Sequence, residues 1–160
     1  MDGHALPRFR FTVGIFDSWG KLRDAVSDLG ARGLSLDSLN CLGLRRVFAL
    51  EAMIAPFQPP LRVLEFAFPH NSEPIGCTSG ALAERLGDGA RSGASSLMEA
   101  LAIWLLPRHA AYFQDTVEAG NIQLWVRTVE ADGERRAYQS LLALSSGTVG
   151  VHDLVSPPNG

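Results

Sequence analysis

Hydrophobic and polar positions fall in the same order near both ends of this chain. Residues 11–16 (Phe-Thr-Val-Gly-Ile-Phe) have strand character, and a stripe of Trp19, Leu22, Ala25, Val26 and Leu29 follows at helical spacing. Lys21, Arg23, Asp24, Ser27 and Asp28 occupy the opposite side of that helix. Asp17 or Ser18 is placed to cap it, Gly30 or Gly33 to end it, and residues 34–41 to form a second strand. The plan repeats over residues 121–154. A strand at 122–127 leads to an amphipathic helix with Ala137, Tyr138, Leu141 and Leu142 inward and Asp132 as its cap, then to a strand at 148–154.

Two βαβ units separated by an insert predict an α+β fold, a ferredoxin-like split βαβ arrangement. The expected sheet is four-stranded and antiparallel, in order 4-1-3-2, with a largely helical insert between strands 2 and 3. Its second and fourth strands would be the edges. Residues 1–155 then form a single domain: a βαβ unit over 10–42, the insert over 43–106, and a helix-βαβ unit over 107–154. Residues 156–160 are read as a flexible tail.

Strand parity divides the sheet into two faces, because alternate residues point to opposite sides. One face takes Phe11, Val13 and Ile15, matched with Ile122, Leu124 and Val126 and with Val149 and Val151, beneath the two crossover helices. The other takes Phe16, Trp125, Arg127 and His152 among smaller residues, including Gly14 and Gly150. Large aromatics beside Arg and Gln on one sheet face suit a planar ligand that stacks and hydrogen-bonds. The alternative is that the apolar insert, with Leu82, Leu86, Leu97, Leu101 and Trp104, covers that face.

Within the insert, residues 44–57 are apolar but ambiguous between strand and helix, and Pro56, Pro59 and Pro60 mark a break. Residues 61–68 read as a strand and 69–76 as a loop. A helix follows from Gly80, is interrupted at Gly87-Asp88-Gly89, and resumes through Leu97 to Leu105. Pro107 then opens another helix at its favoured first position, with Ala110, Phe113 and Val117 inward and Gly120 at its end.

Composition narrows the function classes. A 160-residue chain that is 46% hydrophobic and 19% charged belongs with globular domains. A net charge of −3 speaks against a dedicated nucleic-acid binder, whose affinity rests on Lys and Arg meeting phosphates. The two cysteines, Cys41 and Cys77, lack paired spacing, so neither a disulfide scaffold nor a metal site is expected. The opening residues show no signal-peptide pattern, and the most apolar run, 97–106, is about half a membrane span. A cytoplasmic protein with no membrane partner is the expectation.

The Pro107 helix carrying Ala110-Ala111-Tyr112 and ending at Glu118-Ala119-Gly120 leads into the 122–126 strand, the second amphipathic helix and a strand with Val149 and Val151. With Val13-Gly14-Ile15-Phe16-Asp17 ahead of the first helix, this resembles the bacterial family of small heat-induced, general-stress-type proteins of unknown biochemical role. The resemblance covers residues 10–42 and 105–154. It implies a ferredoxin-like domain and a stress association, and it supplies no catalytic residues.

Four groups of side chains are candidates for chemistry. Cys77, just ahead of a helix, would be a thiolate nucleophile if the helix dipole lowered its pKa, assisted by His109 or His152. Thr78, Ser79 and Gly80 would bind an anion at the same helix start, unless Thr78 or Ser79 merely caps it. Phe16, Trp125, Arg127 and His152 form the ligand-binding candidate. His109 and His152-Asp153 would make an acid–base pair, but no third member is identifiable. The leading reading is a non-catalytic, stress-associated module without cofactor, acting as a homodimer or through a protein partner. The alternatives are a small-ligand-binding module and a thiol enzyme.

Overall fold

The protein, seen in a computed structural model, is described over residues 10–48 and 62–154. Six strands pair throughout in antiparallel fashion, in the order β3-β4-β2-β5-β1-β6. They are β1 (Arg10–Phe16), β2 (Leu39–Leu44), β3 (Val63–Phe66), β4 (Ile75–Thr78), β5 (Ile122–Thr128) and β6 (Gly150–Asp153). The helices are α1 (Trp19–Ala31), α2 (Ala81–Arg91), α3 (Leu97–Ala102), α4 (Pro107–Glu118) and α5 (Ala131–Leu144). The fold is therefore α+β. No helix among the described residues is long and apolar enough to cross a membrane.

The helices of the terminal units form where their patterns place them, but the second strand runs over Leu39–Leu44 rather than 34–41, because Leu36–Ser38 make a 3-10 turn capped by Ser35. Ser18 caps α1 by accepting a hydrogen bond from the Lys21 amide, and Leu22, Ala25, Val26 and Leu29 are buried. Gly33, at φ +89°, closes the helix, and the Leu34 amide reaches back to the Leu29 carbonyl. Pro107 opens α4, with Ala110, Phe113 and Val117 buried as expected. In α5 the cap is Glu130 rather than Asp132, which lies in the first turn and pairs with Arg135 and Arg136. Its buried stripe is Gly133, Ala137, Ser140 and Leu141, and Leu142 is left 62% exposed.

The largest departure lies in the insert. It is not wholly helical: residues 75–78, read as a loop and a helix start, form β4, which pairs with β3 on one side and β2 on the other. Four residues containing a glycine are too few to display strand alternation. The hairpin extends the expected four-stranded sheet to six, and β2 becomes an interior strand. The glycines at 87 and 89 do not interrupt α2, which runs unbroken to Arg91. Gly89 is needed for close packing, since a Cβ there would lie 2.7 Å from Cβ of Ala100 on α3. The expected proline break and most of the 44–57 stretch lie outside the described residues.

The sheet separates two apolar clusters. On one side α1 and α5 pack over Phe16, Leu39, Cys41, Ile122, Leu124 and Val126. On the other α2, α3 and α4 pack over Phe11, Val13, Ile15, Leu42, Leu44 and Trp125. Parity within each strand is as expected, but the match between strands is shifted by one. Val13 pairs with Trp125, Phe11 with Arg127 and Phe11 with His152. A one-residue change of register exchanges faces, because the side-chain period is two. The Phe11, Val13 and Ile15 face is thus the Trp125 face.

Candidate functional site

That register dissolves the group of Phe16, Trp125, Arg127 and His152. Phe16 lies beneath α1 and α5, on the opposite side of the sheet from Trp125. Trp125 is completely buried between Phe11 and Phe113, with ring centroids 5.6 and 4.9 Å away. Its indole N–H donates to Oε1 of Gln123 at 2.9 Å, and Nε2 of Gln123 donates to the Phe113 carbonyl and to Oγ1 of Thr116. These bonds tie β5 to α4 and satisfy two polar groups that burial would otherwise penalise. Trp125 is therefore a sealed core residue. Arg127 is half-buried opposite Phe11, at the other end of this face from Gln123.

His152 has a different setting. Its ring stands edge-on to Phe113 at 5.2 Å and to His109 at 4.9 Å, so α4 and β6 bring the two histidines into contact. Both are half-buried. They line a cavity of about 190 Å³ with Val13, Phe113 and the Thr148–Gly150 segment, and Tyr112 stands at its rim. The Thr148 hydroxyl donates to the Tyr112 hydroxyl at 2.9 Å, joining α4 to the loop ahead of β6. Gly150 makes room for the imidazole: a Cβ there would lie 2.9 Å from Nε2 of His152. Burial pushes the His152 pKa down to about 4, and neighbouring His109 adds to this while Asp153 opposes it. His152 is therefore neutral at physiological pH.

The Cys77 site does not form. Cys77 is a completely buried residue of β4, facing the cluster beneath α2, and burial drives its thiol pKa strongly upward. Cys41 is buried too, its thiol pushed up to about 12. Neither thiol is activated by the dipole of α2, and neither borders the histidine pocket.

The anion cradle is also occupied by the fold itself. Oγ1 of Thr78 accepts from the Cys41 amide at 2.9 Å, and the Ser79 amide donates to the Arg62 carbonyl at 2.8 Å. Gly80 is the N-cap of α2, at φ +146°, and no side chain caps that helix. A Cβ at Gly80 would lie 2.6 Å from Oδ1 of buried Asn40, so a carbonyl dipole already faces the helix start. Ser79 and Gly80 border a groove of about 480 Å³ between β3 and α2. Its charges are mixed: Arg85 and Arg91 alternate with Glu84 and Asp88, and Arg91 pairs with Asp88.

Of the residues singled out from the sequence, the structure brings together His109 and His152. Tyr112 and Thr148 were missed. Tyr112 was within reach, because it lies three positions after His109 and so shares its helix face. Thr148 gave no local signal. The pocket offers two imidazoles, two hydroxyls and an apolar floor, but no thiol or carboxylate lines it among the described residues. Thr148 donates to Tyr112 rather than to an imidazole, so no activated nucleophile is assembled. Comparison with protein-family models, curated proteins and solved structures gives no match.

Proposed function

We propose that this chain is a non-catalytic binding module whose site is the pocket between α4 and β6. One observation carries the reading: two imidazoles from separate parts of the chain meet in a half-buried cavity. Phe16, Trp125 and Cys77 are sealed in the core, and Thr78 and Ser79 are bonded within the fold. A cavity of about 190 Å³ lies below the usual range of about 300–1,000 Å³ for drug-sized ligands, so the ligand is a small one. The fold supports this reading as a split βαβ, ferredoxin-like plait of β2, β5, β1 and β6 with α1 and α5, to which the insert adds a hairpin and three helices. The stress association implied by the resemblance belongs to the same proposal.

A thermal-shift screen of small heteroaromatic and short-chain acid fragments tests it. A ligand that binds the native chain but not the unfolded one raises the melting temperature. Hits should stabilise the native chain and lose at least most of that effect in His152→Ala. Stabilisation that is unchanged in this variant, or no stabilisation by any fragment or divalent metal ion at millimolar concentrations, would overturn the reading.

Self-association is a second reading. The observation favouring it is that β3 and β6 are the outer strands of the described sheet, each with one side unpaired. Light scattering over a concentration series tests it, a constant monomer mass being the adverse result.

A further inference from the structure

We propose that His109 and His152 together seat a divalent transition-metal ion of borderline character, zinc being the type case, with Tyr112 at the rim of the site. This rests on the pocket being the binding site and specifies its occupant. Two imidazoles that share one tetrahedral ion at about 2.0–2.1 Å have ring centroids about 5 Å apart. The observed separation is 4.9 Å, with the rings inclined at 68°. The separation of the two rings thus matches the spacing that a shared ion requires.

Three further observations favour a metal over an organic ligand. No hydrogen bond to either imidazole occurs among the described residues, although Tyr112 and Thr148 bond to each other close by. Ring nitrogens left without partners are available as lone-pair donors. Among the described residues, no Lys or Arg lines the cavity to repel a cation. The cavity of about 190 Å³ has room for an ion and several waters, at about 30 Å³ each.

Imidazole donors suit zinc, copper and nickel, whereas magnesium and calcium prefer oxygen. No cluster of three His, Cys, Asp or Glu side chains able to hold a metal occurs among the described residues, so water must complete the coordination. The site is thus open and exchangeable, unlike a closed structural zinc site.

The chain has four histidines, so replacing His4 and His70 by Ala leaves only the proposed pair. Chelator-stripped protein of this background is titrated with zinc by calorimetry and by imidazole nitrogen NMR. The expected result is one ion per chain, simultaneous displacement of both imidazole signals, and at least a tenfold loss of affinity in His109→Gln or His152→Gln. Magnesium should produce no change. If zinc moves only one imidazole, or binds the His109→Gln variant equally well, the inference is overturned. Fragments that stabilise the stripped protein while zinc does not bind would retain the pocket and remove the metal. Circular dichroism confirms that each variant is folded before titration.

Discussion

His152 links burial at a single residue to a measurable property of the whole chain. Its pKa is about 4 in the fold against 6.5 for an unperturbed histidine. Between those values the unfolded chain binds more protons than the native one, so stability rises with pH across that window. The buried neutral imidazole costs nothing at pH 7, and the penalty grows as pH falls from about 6.5 toward 4. Replacing His152 by Asn should make the acid-side fall in melting temperature shallower than in the parent. Thermal melts of chelator-treated protein at pH 7, 6, 5 and 4 measure this. Carboxylates titrating at lower pH contribute to both chains, so the difference between the two curves isolates His152.

At the scale of elements, α2 shows why identical residues two positions apart do different things. Ala normally stabilises a helix interior over Gly by about 0.5–1 kcal/mol. A Cβ at Gly87 would meet only the far end of the Arg91 side chain, at 3.3 Å, so Gly87→Ala should stabilise by about that amount. A Cβ at Gly89 would collide with Ala100, at 2.7 Å from its Cβ and 3.0 Å from its Cα. Gly89→Ala should therefore destabilise by about 1–3 kcal/mol, as overpacking does. Urea titrations of the two variants check the opposite signs. The sequence shows two glycines near the end of an apolar stripe, which reads as a break. Only the position of α3 explains why the helix continues.

The same limit governs what else was legible in the elements. Stripes of Leu22, Val26 and Leu29, or of Ala110, Phe113 and Val117, define helices because 3.6-residue spacing is a property of one segment. Capping by Ser18 and initiation by Pro107 are local too. Strand β4 was missed because Ile75–Thr78 is buried on both faces and too short to alternate. Cys77 thereby changes from a candidate nucleophile into a core residue.

In the whole molecule, function depends on relations that no single segment carries. The parity of β1 and β5 was readable, but the pairing of Val13 with Trp125 was not, and it decides which residues share a face. With that register, α2, α3 and α4 close over Trp125, and a pocket is left where α4 meets β6. The histidines were visible as candidates, whereas their contact arises only from this long-range packing.

The contact between His109 and His152 is accordingly the feature on which the binding site stands. The most direct test is a nuclear Overhauser measurement on the imidazole ring protons of the metal-free protein in solution. The fold described here predicts direct cross-peaks between the His109 and His152 rings, and from His152 to the Phe113 ring, 5.2 Å away between centroids. A His152 ring that shows contacts to neither would contradict it.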